Sequence, residues 1–248
     1  MEAHLHRSKN VVLLLVLSVS LAATLVQSSA APVAAQKVKL ALYYEALCPG
    51  CTDFILNDLS KIFDNGLIDI VDLKLSPYGN AKISSNGTIV CQHGEWECKL
   101  NTVGACAINT WPNVNDHFKF IHCVESLSDD GKYREWKTCF KKLKLDPKQV
   151  TECFTGELGH KLELQYADEI GALKPPHEYV PWVVVDGKPL KEDIANFVSY
   201  VCKAYKGSKV PQACRGLSLK KDSAKPFNNV CYKEDINAKS KSKVSKSM

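Results

Sequence analysis

The chain has 248 residues, 45% of them hydrophobic, a net charge of +5 and eleven cysteines. The charge excess sits at one end: from Gly207 on, ten basic residues face three acidic ones, and no aromatic residue follows Tyr232. Residues 207–248 therefore read as a solvated, disordered basic tail, which argues against nucleic-acid binding, while the cysteine content fits an oxidising compartment.

His6, Arg7 and Lys9, the apolar run Val11 to Val26 and the small residues through Ala35 have the three-part layout of a secretory signal peptide. It spans residues 1–30, with cleavage as late as 35. The apolar run is about 16 residues long and interrupted by Ser18 and Ser20, short for a membrane anchor. No later segment is apolar enough to span a bilayer, so no stable membrane insertion is expected.

Val38, Leu40 and Leu42 alternate with Lys37, Lys39 and Ala41, the period of a half-buried strand. Cys51, Ile55, Leu59, Ile62 and Phe63 then recur at helical spacing until Asn65-Gly66 supplies a stop. Cys48-Pro49-Gly50-Cys51 falls at the junction. A thiol at a helix N-terminus meets unpaired backbone N–H groups and the positive end of the helix dipole, which stabilise the thiolate that attacks disulfides. Cys48 is thus the candidate nucleophile, and Cys51, one turn on, the resolving thiol. A zinc site would need a second pair at knuckle spacing, but six residues lie between Cys91 and Cys98. A static structural bridge is the other alternative. With Cys48 and Cys51 as a redox pair nine cysteines remain, so at least one is free, intermolecular or paired only during turnover. The dithiol reading calls for no cofactor and no metal.

Val71, Leu73 and Leu75 alternate within a second predicted strand from Leu67 to Leu75, broken by Pro77, Gly79 and Asn80. Asn86-Gly87-Thr88 is the one Asn-x-Ser/Thr sequon, so Asn86 is the candidate glycosylation site. Residues of about 81–175 are rich in cysteine and helical spacing, as at Trp136, Cys139, Phe140 and Leu143 and again at Leu158, Leu162 and Tyr166. They read as a mostly helical insertion. The valine run after Trp182 ends in Asp186-Gly187, a strand and tight hairpin turn, and Ile194, Phe197, Val198 and Val201 suggest a closing helix. The order is βαβ, a helical insertion, then ββα. This is an α/β, thioredoxin-like fold over residues 37–206, split by a disulfide-rich insertion. In that fold the proline opening the third strand is cis and faces the Cys-x-x-Cys helix. Pro181 occupies the matching place, with Val180 presenting its backbone to an incoming peptide.

Cys91, Gln92, His93, Gly94, Glu97, Cys98, Asn101 and Cys106 match every fixed position of a signature, Cys-Gln-His-Gly, two residues, Glu-Cys, two residues, Asn, four residues, Cys. In this the chain resembles the gamma-interferon-inducible lysosomal thiol reductase family, over roughly residues 38–202. The resemblance implies reduction of protein disulfides in an acidic endosomal or lysosomal compartment, with Cys48 attacking and Cys51 resolving. Partners would be disulfide-bonded protein substrates and a small-thiol or protein reductant; the address would be lysosome, vacuole or the extracellular space. An oxidase or isomerase, or a non-catalytic thioredoxin-like binding protein, are the competing functions. A thiol of ordinary pKa would be only about one part in 3,000 thiolate at pH 5, so the chemistry needs strong stabilisation of Cys48. Glu45 would oppose it, and no neighbouring cation is visible in the sequence. His93 receives no catalytic role, and Cys91 with Cys98 reads as a clamped loop rather than a metal site.

Overall fold

The computed structural model describes residues 36–217 and 228–233. Its central sheet has four strands, in the spatial order Val71–Pro77, Val38–Tyr44, Trp182–Val185 and Lys188–Pro189. Strand β1 (Val38–Tyr44) runs parallel to β2 (Val71–Pro77), with Val38 opposite Val71 and Leu42 opposite Leu75. On its other edge β1 pairs antiparallel with β6 (Trp182–Val185), placing Leu40 against Val185 and Leu42 against Val183. Strand β7 (Lys188–Pro189) folds back on β6 through Asp186 and Gly187, which both take positive φ (45° and 79°). Those are the angles of the tight turn whose twist matches a hairpin. This is the thioredoxin-like order, βαβ then ββα.

Between β1 and β2 the helix begins as α1 (Pro49–Asp53), widens to a π-helical stretch at Phe54–Leu59 and ends as α2 (Lys61–Asp64). Its Cys51, Phe54, Ile55, Leu59 and Ile62 are buried, and Phe54 meets Phe197 edge to face with ring centroids 5.3 Å apart. The expected second strand starts later than Leu67. Gly66 turns the chain in the left-handed region (φ 79°), Asn65 Oδ1 accepts the Leu67 N–H at 3.1 Å, and Leu67–Ile70 forms a 3-10 turn before β2. Here a local side-chain hydrogen bond outweighs the alternating pattern.

A short hairpin, β3 (Lys82–Ile83) with β4 (Ile89–Val90), carries Asn86 at its exposed tip. Five helices follow: α3 (Glu95–Thr110), α4 (Val114–Asp129), α5 (Thr138–Leu143), α6 (Lys148–Thr155) and α7 (Glu157–Gly171). They build a second core around Leu100, Val103, Phe120, Trp136, Phe140 and Val150. Cys106–Cys153 ties α3 to α6, and Cys123–Cys139 ties α4 to α5. Helix α8 (Phe197–Ala204) closes the sheet. No helix among the described residues is long and apolar enough to cross a membrane. The proposed signal segment lies outside the described residues.

Two pieces of the basic tail are ordered against the domain. Gln212–Cys214 forms a 3-10 turn held by Cys202–Cys214, and β8 (Cys231–Tyr232) pairs antiparallel with β5 (Tyr179–Val180). Composition reads this stretch as solvated throughout, but each of these pieces contains a cysteine in a disulfide, and that crosslink outweighs the charge of its neighbours.

Candidate active site

Cys48 lies where β1 passes into α1. It is the N-cap, with extended backbone (φ −82°, ψ 116°), and Pro49 occupies the first helical position, where its missing N–H leaves nothing unsatisfied. The Thr52 N–H donates to the Cys48 carbonyl at 3.0 Å, closing the first turn. The sulfur therefore sits at the positive end of the helix. The Val180–Pro181 bond is cis, and the buried Val180 carbonyl oxygen lies 3.7 Å from Cys48 Sγ. Cys48, Val180 and Pro181, distant in sequence, are thus brought together.

The sulfur of Cys48 is bonded to Cys231, 183 residues away, and the free thiol is Cys51, which is buried. The odd cysteine is therefore inside the motif, whereas the sequence pattern places it among the other nine. The remaining bridges pair Cys91 with Cys98, Cys106 with Cys153, Cys123 with Cys139 and Cys202 with Cys214.

Residues 228–233 cross the site: Asn228 and Asn229 form a turn, Asn229 at positive φ (62°), and Cys231–Tyr232 is the strand. Val180 faces Cys231 and Tyr179 faces Tyr232 in the ladder, and the Lys233 N–H donates to the Glu178 carbonyl at 3.1 Å. The Gly50 N–H donates to the Asn229 carbonyl at 3.0 Å. A Cβ on Gly50 would lie 2.7 Å from that oxygen, so a side chain there would collide with the crossing backbone. From the other side, the Asn80 side-chain amide donates to the Cys231 carbonyl and that of Gln92 to the Tyr232 carbonyl, each at 2.8 Å.

The signature residues form the wall behind this strand. Cys91–Cys98 clamps the turn into α3, whose N-cap is Gly94. Glu97 reaches back to accept the His93 N–H and holds His93 Nδ1 at 2.8 Å. Asn101 Oδ1 accepts the Ala46 N–H at 2.8 Å, anchoring the loop that presents Cys48. Cys106 serves the α3–α6 tether. Asn86 stands apart, exposed on its hairpin, where its Oδ1 accepts the Thr88 N–H at 3.1 Å.

Three buried carboxyls underlie the site. Burial, then the charge of Glu97, pushes Glu45 well above the usual carboxylate range against the opposing Asn80 N–H bond. Burial raises Glu125 to about 7, although its Oε2 accepts the Thr52 hydroxyl at 2.7 Å. Burial and then the charge of Glu45 push the Cys51 thiol up, so Cys51 is held in its protonated form. Ligand-type atoms of Glu45, Cys48 and Cys231, and of Glu45, His93 and Glu97, each converge within 4.8 Å. In the first group the sulfurs are bonded to each other, and in the second Glu97 engages the ring.

Sequence reasoning missed Asn80, Asn229 and Cys231, and read Glu45 only as a repulsive charge. Only the unassigned tail cysteine pointed toward any of them, and no spacing linked it to residue 48.

The description "gamma interferon inducible lysosomal thiol reductase (GILT)" belongs to the family model that matches residues 39–143. An Arabidopsis thaliana gamma-interferon-responsive lysosomal thiol protein is 50% identical over 182 residues, covering 72% of this chain and 76% of the relative. The Mus musculus gamma-interferon-inducible lysosomal thiol reductase is 38% identical over 201 residues, 79% of this chain and 77% of the relative. Among solved structures, Chlamydia trachomatis DsbA superimposes with a TM-score of 0.48 at 12% identity, covering 62% of this chain and 78% of that one. With a family model that matches residues 39–143, from β1 through the Cys48 helix and the clamped wall, and relatives this similar over most of the chain, the chain belongs to the gamma-interferon-inducible lysosomal thiol reductase family and is a thiol–disulfide oxidoreductase.

Proposed function

We propose that the protein reduces disulfides of protein substrates in an acidic compartment of the secretory pathway, through the Cys48-Pro49-Gly50-Cys51 dithiol. Cys48, as thiolate, attacks one sulfur of a substrate disulfide, and the other substrate sulfur leaves. Cys51 then attacks Cys48 Sγ, forming the Cys48–Cys51 disulfide and freeing the second substrate thiol. A small thiol or protein dithiol restores the pair. The carrying observation is the seat of Cys48 Sγ, at a helix N-terminus and 3.7 Å from the Val180 carbonyl, bonded to the sulfur of a strand laid along Val180. A substrate peptide in the same position would give the first-step intermediate, aligned by Val180-Pro181. The acidic address is supported by the relatives named lysosomal, and passage through the secretory pathway by the apolar N-terminal run and by Asn86 on an exposed tip.

The test is reduction of a disulfide-linked peptide from pH 4 to 7.5 by enzyme primed with dithiol. Cys48→Ser should abolish turnover and Cys51→Ser should accumulate the mixed disulfide. Wild-type activity in Cys48→Ser would refute the assignment. Endoglycosidase treatment of secreted wild type and Asn86→Gln checks the glycan, and cell fractionation checks the address.

A further inference from the structure

The bond between Cys48 and Cys231 has the connectivity of a mixed disulfide: Cys231 Sγ stands where the second sulfur of a substrate would be. One side chain outside the dithiol faces that sulfur with a proton-carrying atom. His93 Nε2 lies 3.7 Å from Cys231 Sγ. The ring is aimed from behind. Its Nδ1 is 2.8 Å from Glu97 Oε2 and 3.5 Å from Glu45 Oε1, and both carboxyls are fully buried. A carboxylate at Nδ1 takes the N–H on that side, which leaves Nε2 as the atom that exchanges a proton with the sulfur.

We infer that His93 is a catalytic acid of this enzyme, delivering the proton from Nε2 to the substrate sulfur released from Cys48, with Glu45 and Glu97 as its positioning residues. This rests on the reading of Cys48 as the nucleophile. The need for it follows from burial. Cys48 and Cys51 are fully buried and Cys231 nearly so, and a thiolate released where water is excluded lacks the solvation that would stabilise it. In the step, Cys51 loses its proton and its sulfur bonds to Cys48 Sγ. The bond from Cys48 Sγ to the substrate sulfur breaks, the substrate sulfur keeps the electron pair, and the Nε2 proton completes its thiol. The dithiol is oxidised, the substrate disulfide has become two thiols, and the proton lost by Cys51 balances the one His93 gives and regains.

The groups facing the ring are Glu45 from the loop after β1, Glu97 from α3 and the sulfur on β8; its ion pairs among the described residues are to the two carboxyls. The Glu97 contact at Nδ1 holds the ring with Nε2 toward the sulfur, so the device places a proton-exchanging atom where the thiolate must be released. It supplies the proton donor that sequence spacing did not reveal beside the motif.

The experiment is single turnover of the reduced full-length protein with a disulfide-linked peptide, acid-quenched and mapped by mass spectrometry from pH 4.5 to 7.5. Two rates are read: formation of the Cys48 mixed disulfide and release of the second peptide thiol. In His93→Gln, formation should stay within about twofold of wild type while release at pH 5 slows roughly a hundredfold, the low end for loss of general acid catalysis. The alkaline limb of the release profile, where a general acid has lost its proton, should flatten. Glu97→Gln, which keeps the ring but loosens it, should slow release by about tenfold and leave formation alone. Release at the wild-type rate in His93→Gln, or equal slowing of both steps in both variants, overturns the role. A mixed disulfide formed by Cys48→Ser would instead overturn the nucleophile assignment, so the two failures are distinguishable.

Discussion

The side-chain amide of Asn80 donates at 2.8 Å to the carbonyl of Cys231, the residue whose sulfur caps Cys48. The same amide donates to Gln92 Oε1 at 2.9 Å, so the strand that closes the site is held by a buried side chain already fixed in place. Removing one such bond is worth about 1 kcal/mol, or roughly fivefold in an equilibrium constant. Asn80→Ala should therefore shift the exchange between Cys48–Cys231 and Cys48–Cys51 toward the latter by about that factor. Redox titration in a glutathione buffer with mapping of the alkylated cysteines measures the shift, and an unchanged ratio would show that the ladder with Tyr179 and Val180 suffices.

Cys231→Ser removes the cap altogether. Unprimed wild-type enzyme should show a lag in substrate reduction while a thiol opens Cys48–Cys231, and the variant should start without one. After priming with dithiol the two progress curves should coincide within about twofold. A lag that survives in the variant would place the slow event elsewhere.

Glu125 links stability to pH. Burial raises its carboxyl to about 7 in the fold, against about 4.3 in an unfolded chain. Between those values the folded state holds a proton that the unfolded state has lost, so stability falls as pH rises. Glu163, also raised to about 7 by burial, acts in the same direction; His177, depressed to about 4, acts in the opposite one because its unfolded form gains the proton. Comparison with Glu125→Gln isolates the first group. The variant should gain on wild type by up to about 3 kcal/mol between pH 4.5 and 7.5, from the shift in pKa. Denaturant melts across that range decide the point, and a constant difference would mean the carboxylate is stabilised by a group not identified above.

The Cys106–Cys153 bridge closes a loop with a sequence separation of 47 between α3 and α6. A loop of that length predicts a loss of about 4 kcal/mol for the paired substitution Cys106→Ala and Cys153→Ala. Urea unfolding under non-reducing conditions measures it. Because α3 also carries Glu97 and Asn101, loss of activity should accompany loss of stability at the same denaturant concentration.

What the sequence made legible was local. The alternation of Val38, Leu40 and Leu42 marks β1, helical spacing from Cys51 to Ile62 marks the helix, and Asp186-Gly187 marks the turn, because in each case neighbours along the chain decide the structure. The 3-10 turn at Leu67–Ile70 escaped because one Asn65 hydrogen bond redirected an otherwise good strand pattern. The widened turn at Phe54–Leu59 left no trace in the apolar spacing, which both helix types satisfy. The site was legible as the motif, the signature and Pro181, but as separate pieces. How His93 faces a sulfur on β8, or Asn80 its carbonyl, depends on contacts spanning well over a hundred residues, and no periodicity records those.

The close passage of the Asn229 carbonyl over Gly50 sets a steric rule for the dipeptide between the cysteines. In a Cys-x-x-Cys helix the residues between the cysteines bear on the redox potential. Here the second of them is also a clearance: a backbone lying on the helix shoulder needs both the N–H of residue 50 and the absence of a β-carbon. In the mechanism proposed above, exchanging Pro49-Gly50 for a dipeptide with a side chain at residue 50 would restrict which chains can lie beside Cys48, so the clearance at Gly50 would select peptides by approach.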